Sequence, residues 1–232
     1  MLVVFDLDGT LAKVGEGAEA ETVALLHKIR ETGARIALSS GKPTFYLCAF
    51  ARQLGIQDAV LVGENGSVIQ VGTALPPTVY HKAEIPAITK EALKTLRGML
   101  EEEFGDRIWY QPNETALTPF PAYQEDFPKI RAILECFLTP EMEIKVYEHP
   151  DCFDIQYRHL SKGAGIQRLA QVTGIPPEQM ISVGDYTNDY PMFAATGYSV
   201  GIHLPDPSRA SINFPTTLEA LTHVLEKLRS SL

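Results

Sequence analysis

Asp6 and Asp8 are separated by one residue and followed by Gly9 and Thr10, directly after the apolar run Val3-Val4-Phe5. A short apolar run bounded by turn residues predicts a buried strand. Asp6 then sits where the strand ends, and Asp8 lies in the loop beyond it. In open α/β sheets, ligands bind outside the carboxyl ends of the strands. Two carboxylates held this close resist full ionisation, and a bound cation offsets their repulsion. The pair therefore points to a metal. A capped turn, in which Asp and Gly are ordinary residues, accounts for it equally well when it is taken alone.

Three further groups fall at the ends of predicted elements. Ile36-Ala37-Leu38 runs into Ser39-Ser40-Gly41-Lys42. Backbone N–H groups, a hydroxyl and a lysine make an anion pocket there, or a plain Ser/Gly turn. Lys162 opens a helix, the end at which the macrodipole disfavours a cation. A ligand explains it, and so does a solvated surface lysine. Ile181-Ser182-Val183 leads into Gly184-Asp185 and then Asn188-Asp189. Asp189 fits a helix cap, whereas Asp185 at a strand edge suits a hard cation. Mg²⁺ prefers oxygen ligands and is held by one or two carboxylates plus substrate phosphate. Together the four groups supply a carboxylate nucleophile in Asp6, a second carboxylate for proton transfer in Asp8, donors for a phosphoryl group, a lysine and a cation. Carboxylates do act as nucleophiles, through aspartyl-phosphate intermediates.

The elements that must position these groups alternate. Strand-like runs at 3–5, 36–38 and 59–62 are separated by helical patterns at 19–31 and 44–54, which implies βαβ units and a parallel sheet. From about residue 80 the rhythm changes. A long helical pattern at 87–104, a second at 127–137, and strand-like runs at 108–110, 116–118, 143–147 and 153–157 predict a separate α+β unit with an antiparallel sheet. The first rhythm resumes with a helix at 163–174, strands at 180–183 and 198–201, and helices at 189–195 and 218–228. The expected organisation is an α/β core of 1–80 and 159–232, interrupted by an inserted domain at 81–158.

Composition bounds the function. The chain has 232 residues, with 45 % apolar and 21 % charged residues, ordinary for a globular protein. A net charge of −9 argues against nucleic-acid binding through a broad basic surface. Any anionic substrate must be drawn by local positive charge or a metal. Cys48, Cys136 and Cys152 are odd in number and form no Cys-x-x-Cys, which fits reduced thiols. No membrane-spanning run and no signal-peptide pattern is expected, so a cytoplasmic location is.

Asp6-Leu7-Asp8-Gly9-Thr10, Ser40-Gly41, Lys162 and Gly184-Asp185-x-x-Asn188-Asp189 resemble, in order, the four motifs of the haloacid dehalogenase-like superfamily. The insertion resembles the α/β cap of its class IIB, or Cof-type, phosphatases, and Gly63-Glu64-Asn65-Gly66-Ser67 resembles their turn after the third strand. The sequence is most like archaeal-type phosphoglycolate phosphatases, with sucrose-phosphate phosphatases more distant. The resemblance implies a Rossmann-like parallel-sheet core with an inserted type C2B cap. It implies Mg²⁺ held by Asp6, Asp8 (through its backbone carbonyl) and Asp185, with Asp189 behind them orienting Lys162 and the metal's waters. Asp6 would attack phosphorus and Asp8 would move the proton. Asp8, Gly9, Thr10, Ser40, Gly41, Lys162 and Asn188 would bind the phosphoryl group.

Two positions depart from the commoner pattern. Lys42 stands where Cof-type proteins often carry Arg, exchanging a bidentate fork for a point charge, and is not assigned to substrate. Asn113 aligns where relatives often carry a carboxylate-binding Arg. The exchange weakens phosphoglycolate as the specific substrate and favours a hydroxyl-bearing one such as a sugar phosphate, faced by Asn113, Glu114 and Thr115, unless Glu114 and Thr115 are ordinary solvated loop residues. The expected activity is hydrolysis of a small phosphorylated metabolite, by a monomer or homodimer, with no nucleic acid or membrane partner. A phosphomutase of similar fold and a non-catalytic phospho-ligand sensor are the competing readings.

Overall fold

The computed structural model describes residues 1–230. The chain runs β1 (Leu2–Phe5), α1 (Ala20–Glu31), β2 (Arg35–Ser39), α2 (Thr44–Gln53), β3 (Val60–Gly63), β4 (Val68–Val71) and β5 (Val79–Lys82). It continues through α3 (Ala87–Phe104), β6 (Ile108–Gln111), β7 (Ala116–Pro121), α4 (Phe127–Phe137), β8 (Ile144–Glu148) and β9 (Phe153–Tyr157). It closes with α5 (Lys162–Thr173), β10 (Met180–Gly184), α6 (Tyr190–Ala195), β11 (Tyr198–Ile202), β12 (Ile212–Phe214) and α7 (Thr217–Ser230). Two compact units result, Met1–His81 with Ser161–Leu232, and Lys82–Leu160.

The first unit is built on a sheet in the order β12-β11-β10-β1-β2-β3-β4-β5. Strand β1 lies between β10 and β2 and is parallel to both. All four of its residues are fully buried, because both faces of the sheet are covered. Val3 and Phe5 pack with Leu26, Leu47 and Leu221 from α1, α2 and α7, while Leu2 and Val4 pack with Ile166, Leu169 and Met192 from α5 and α6. A strand buried on both faces needs an unbroken apolar run rather than an alternating one, which is why Leu2–Phe5 reads as it does. Successive strands step from β1 to β2 and β3 on one side, and from β10 to β11 and β12 on the other. Between β1 and β10 the order reverses, and the carboxyl ends there, Phe5 and Gly184, open the crevice that such sheets use for ligands.

Three strands carry no clear sequence signature. Strands β4 and β5 extend the sheet past β3, β4 as an antiparallel hairpin partner. Strand β12 is three half-buried residues at the opposite edge. Edge strands gain less burial, so their apolar pattern is weak.

The second unit is a four-stranded sheet in the order β6-β7-β9-β8, with antiparallel pairing. Helix α3 buries Ala92, Leu96, Leu100 and Phe104, a stripe of helical period. These pack with Ile130 and Leu134 of α4 and with Leu117, Phe153 and Ile155 of the sheet.

Candidate active site

Asp6 extends β1 by one step, its N–H donating to Val183 O at 2.9 Å. The chain then folds tightly, Leu7 O accepting from the N–H groups of Leu11 and Ala12 at 2.9 and 3.1 Å. Gly9 has a φ of +88°, and a Cβ there would fall 2.2 Å from Asp185 Oδ2. Only glycine lets this loop lie against Asp185. Asp8 is partly exposed, its Oδ2 3.7 Å from Lys42 Nζ.

Lys162 is the first residue of α5, capped by Ser161, whose Oγ accepts from Ala164 N at 3.1 Å. It is 1 % exposed. Its Nζ donates to Asp6 Oδ1 at 2.5 Å and to Asp189 Oδ1 at 2.6 Å. This explains a cation at the helix end that the macrodipole disfavours: two buried carboxylates outweigh a partial charge.

Asp185 and Asp189 follow β10. Asp189 is fully buried, and its Oδ2 accepts from the N–H groups of Asp185 and Tyr186 at 3.0 and 3.2 Å. Thr10 Oγ1 donates to Asp185 Oδ1 at 2.8 Å. Thr10, expected among the phosphate-binding residues, gives its hydroxyl proton to Asp185. Asp6, Asp185 and Asp189 offer carboxylate oxygens within 4.8 Å of one another.

The electrostatics follow from burial and from three carboxylates around one ammonium. Burial drives the Asp6 carboxyl well above the usual range, Asp189 and Asp185 push it further, and Lys162 opposes them. Asp185 is raised as well, first by burial, with its hydrogen bond from Thr10 acting the other way. For Lys162 burial works downward, but Asp189 and Asp6 together outweigh it and the ammonium stays protonated. This excess negative charge suits a hard divalent cation. The donor set fits one: both Asp189 oxygens accept from Lys162 and backbone N–H groups, whereas Lys162 takes one oxygen of Asp6 and Thr10 one oxygen of Asp185.

Ser40 ends the adjacent strand, buried, with its Oγ accepting from Lys42 N at 3.2 Å. Gly41 next to it is half-buried, as is Asn188 in the turn before α6. A turn that the sequence reading gave no chemical role holds this loop. Glu64 N donates to Lys42 O and Asn65 N to Ser40 O, each at 3.0 Å. Glu64, Asn65 and Gly66 have φ values of 50°, 54° and 93°. A Cβ on Gly66 would lie 2.7 Å from Gly165 Cα and from Ser161 O. The turn thus fastens the Ser40 loop to the start of α5, where Lys162 sits. Paired glycines at 66 and 165 were the available signal.

Asn113, Glu114 and Thr115 lie in the second unit, between β6 and β7. Asn113 Nδ2 donates to Thr118 Oγ1 and its Oδ1 accepts from Gln111 Nε2, both at 2.8 Å. Thr118 continues the chain of bonds to Asp154 at 2.9 Å. Glu114 pairs with Lys82 at 2.9 Å, and Thr115 is buried. Asn113 and Glu114 thus have bonding partners within the second unit.

Comparison with known proteins gives the family and the fold. The haloacid dehalogenase-like hydrolase family matches residues 3–133 and 120–208. A phosphoglycolate phosphatase of Methanosarcina acetivorans is 28 % identical over 204 residues, covering 86 % of this chain and 82 % of the relative. A 5-amino-6-(5-phospho-D-ribitylamino)uracil phosphatase of Bacillus subtilis is 22 % identical over 233 residues, covering 86 % of each. A haloacid dehalogenase-like hydrolase from Bacteroides thetaiotaomicron shares the fold with a TM-score of 0.79 at 18 % identity, covering 100 % of this chain and 99 % of that one.

Proposed function

The chain belongs to the haloacid dehalogenase-like hydrolases, and from that membership we propose that it is a phosphomonoesterase acting on a small phosphorylated metabolite, a sugar phosphate or a phosphoglycolate-like acid. The observation that carries this reading is Lys162, buried and bonded to both Asp6 and Asp189, at the carboxyl edge where β1 and β10 meet. Phosphoryl transfer needs positioned charge more than covalent machinery, and this arrangement supplies it.

In the proposed reaction an Asp6 carboxylate oxygen attacks phosphorus as the bond to the ester oxygen breaks. Asp8, the more exposed carboxyl, gives its proton to the departing alkoxide. It then takes a proton from water, which attacks the aspartyl phosphate, releases inorganic phosphate and restores Asp6. Two of the three Lys162 protons are engaged by carboxylates, which leaves one for a phosphoryl oxygen. Ser40, Gly41, Asn188 and the backbone of Asp8, Gly9 and Thr10 complete the phosphoryl site. Mg²⁺ would be held by Asp6, Asp185 and the Asp8 carbonyl, and would supply charge that lets an anionic nucleophile approach an anionic phosphate. The inserted unit is assigned to substrate choice.

A phosphomutase would need arginines gripping a second phosphate. Of the four arginines of the second unit, Arg97 pairs with Glu101, Arg107 with Asp126 and Arg131 with Glu148, Arg158 being the exception, which supports hydrolysis. The test is phosphate release from an aryl phosphate with Mg²⁺. Asp6→Asn should abolish it with an unchanged circular-dichroism spectrum. Full activity in that variant removes the nucleophile assignment, and binding without turnover in the wild type favours the sensor.

A further inference from the structure

Lys42 touches both ends of the proposed reaction. Its N–H donates to the Ser40 hydroxyl at 3.2 Å and its carbonyl accepts from Glu64 N at 3.0 Å, so its backbone is fixed on both sides. Its side chain runs to Asp8, with Nζ 3.7 Å from Oδ2. That separation lies outside the N–H···O hydrogen-bond range, so the ammonium protons are not committed to Asp8. Lys162 is the opposite case, buried and doubly bonded. Lys42 is 28 % exposed in its side chain. Of the two lysines at the site it is the more exposed one.

The charge balance gives that cation a task. Lys162 pairs with Asp6 and Asp189 and Lys42 stands by Asp8, with Asp185 a further carboxylate of the cluster, and the chain carries a net charge of −9. An ester with a second anionic group would be repelled without local compensation. Asp8 is the residue assigned to the leaving-group oxygen, and the Lys42 ammonium is the cation beside it. Asn113, the position expected to favour a neutral hydroxyl, has both ends of its amide engaged within its own unit.

From this geometry we infer that Lys42 is a specificity-determining residue whose ammonium receives a carboxylate carried by the leaving alcohol, so that the favoured substrates are phosphate monoesters of short hydroxy acids. The inference rests on the phosphomonoesterase reading. The deciding experiment measures kcat/KM of the full chain with Mg²⁺ on 2-phosphoglycolate and on its neutral carboxamide. The wild type should favour the acid. In Lys42→Met the acid-to-amide ratio should fall about tenfold to a hundredfold, mainly through KM, as expected for loss of one charged hydrogen bond. Lys42→Arg should keep most of the ratio. A wild type that prefers the amide, or a Lys42→Met variant that slows both esters equally, overturns the inference while leaving the phosphatase reading intact. Absence of turnover on these and on an aryl phosphate overturns both.

Discussion

The Thr10 hydroxyl donates to Asp185 Oδ1 at 2.8 Å across 175 residues of sequence. The loop after the first strand thereby fixes the carboxylate after the tenth. One oxygen of Asp185 is held in place by this bond, and the other lies against Gly9. A side chain that anchors a metal-binding carboxylate typically contributes tenfold to a hundredfold in metal affinity or activity.

Thr10→Val keeps the shape and removes this donor. The Mg²⁺ concentration for half-maximal phosphate release should rise about tenfold to a hundredfold, and Thr10→Ser should restore it. A Thr10→Val enzyme with unchanged Mg²⁺ dependence would show that Asp185 needs no anchor.

Lys162→Met should be more damaging. It leaves Asp6 and Asp189 buried at 5 % and 0 % exposure without their shared partner. Breaking a buried pair by removing one member costs about 3–5 kcal/mol. Urea denaturation of the metal-free variant should read a loss of that order. The loss of phosphoryl stabilisation should lower kcat by about 10²–10³-fold. A variant as stable as the wild type would mean that the two carboxylates are not both charged in the folded protein.

Much of the candidate site was legible in the chain because Asp6, Ser40 and Asp185 each come just after an apolar run. Phe5, Leu38 and Val183 are strand residues buried on two faces, so their pattern is continuous and the strand ends are sharp. Asp6, Ser40 and Asp185 stand out against it. What stayed hidden depends on tertiary approach. Nothing local in Thr10 marks a hydroxyl aimed at Asp185. Nothing local in Glu64-Asn65-Gly66 shows that its N–H groups bind the Ser40 loop. The second unit was readable as strands and helices from its Leu96, Leu100 and Phe104 stripe. The bonds that commit Asn113 come from Gln111 and Thr118 on two different strands, and pairing register is not written in either.

Gly66→Ala tests the hidden turn. The added Cβ meets backbone of Gly165 and Ser161 at 2.7 Å, and φ is +93°. Neither partner is the far end of a flexible side chain, so α5 must shift. Overpacking of this kind costs about 1–3 kcal/mol, and a shift of α5 moves Lys162 relative to Ser40. The melting temperature should fall, and kcat should fall further than in the Gly98→Ala control, whose Cβ meets nothing within 4 Å. Equal kcat in the two variants would detach the turn from the site.

The metal-free protein should lose stability as pH rises toward neutrality. Asp6 and Asp185 are raised above the ordinary carboxylate value, first by burial. A raised carboxyl binds its proton more tightly folded than unfolded. Its favourable contribution is therefore present at low pH and is lost as pH climbs through the folded-state value. Asp6→Asn removes the largest such group, so its stability should vary less with pH than that of the wild type over the same range. Bound Mg²⁺ stabilises only the folded form, by about 2.7 kcal/mol at one hundred times its dissociation constant. Its effect should be largest above the carboxylate titration, where the ligands are already ionised, and should vanish with EDTA. Thermal melts across pH, with and without Mg²⁺, for wild type and Asp6→Asn separate these terms. Parallel pH profiles for the two proteins would show that Asp6 is not the group that titrates.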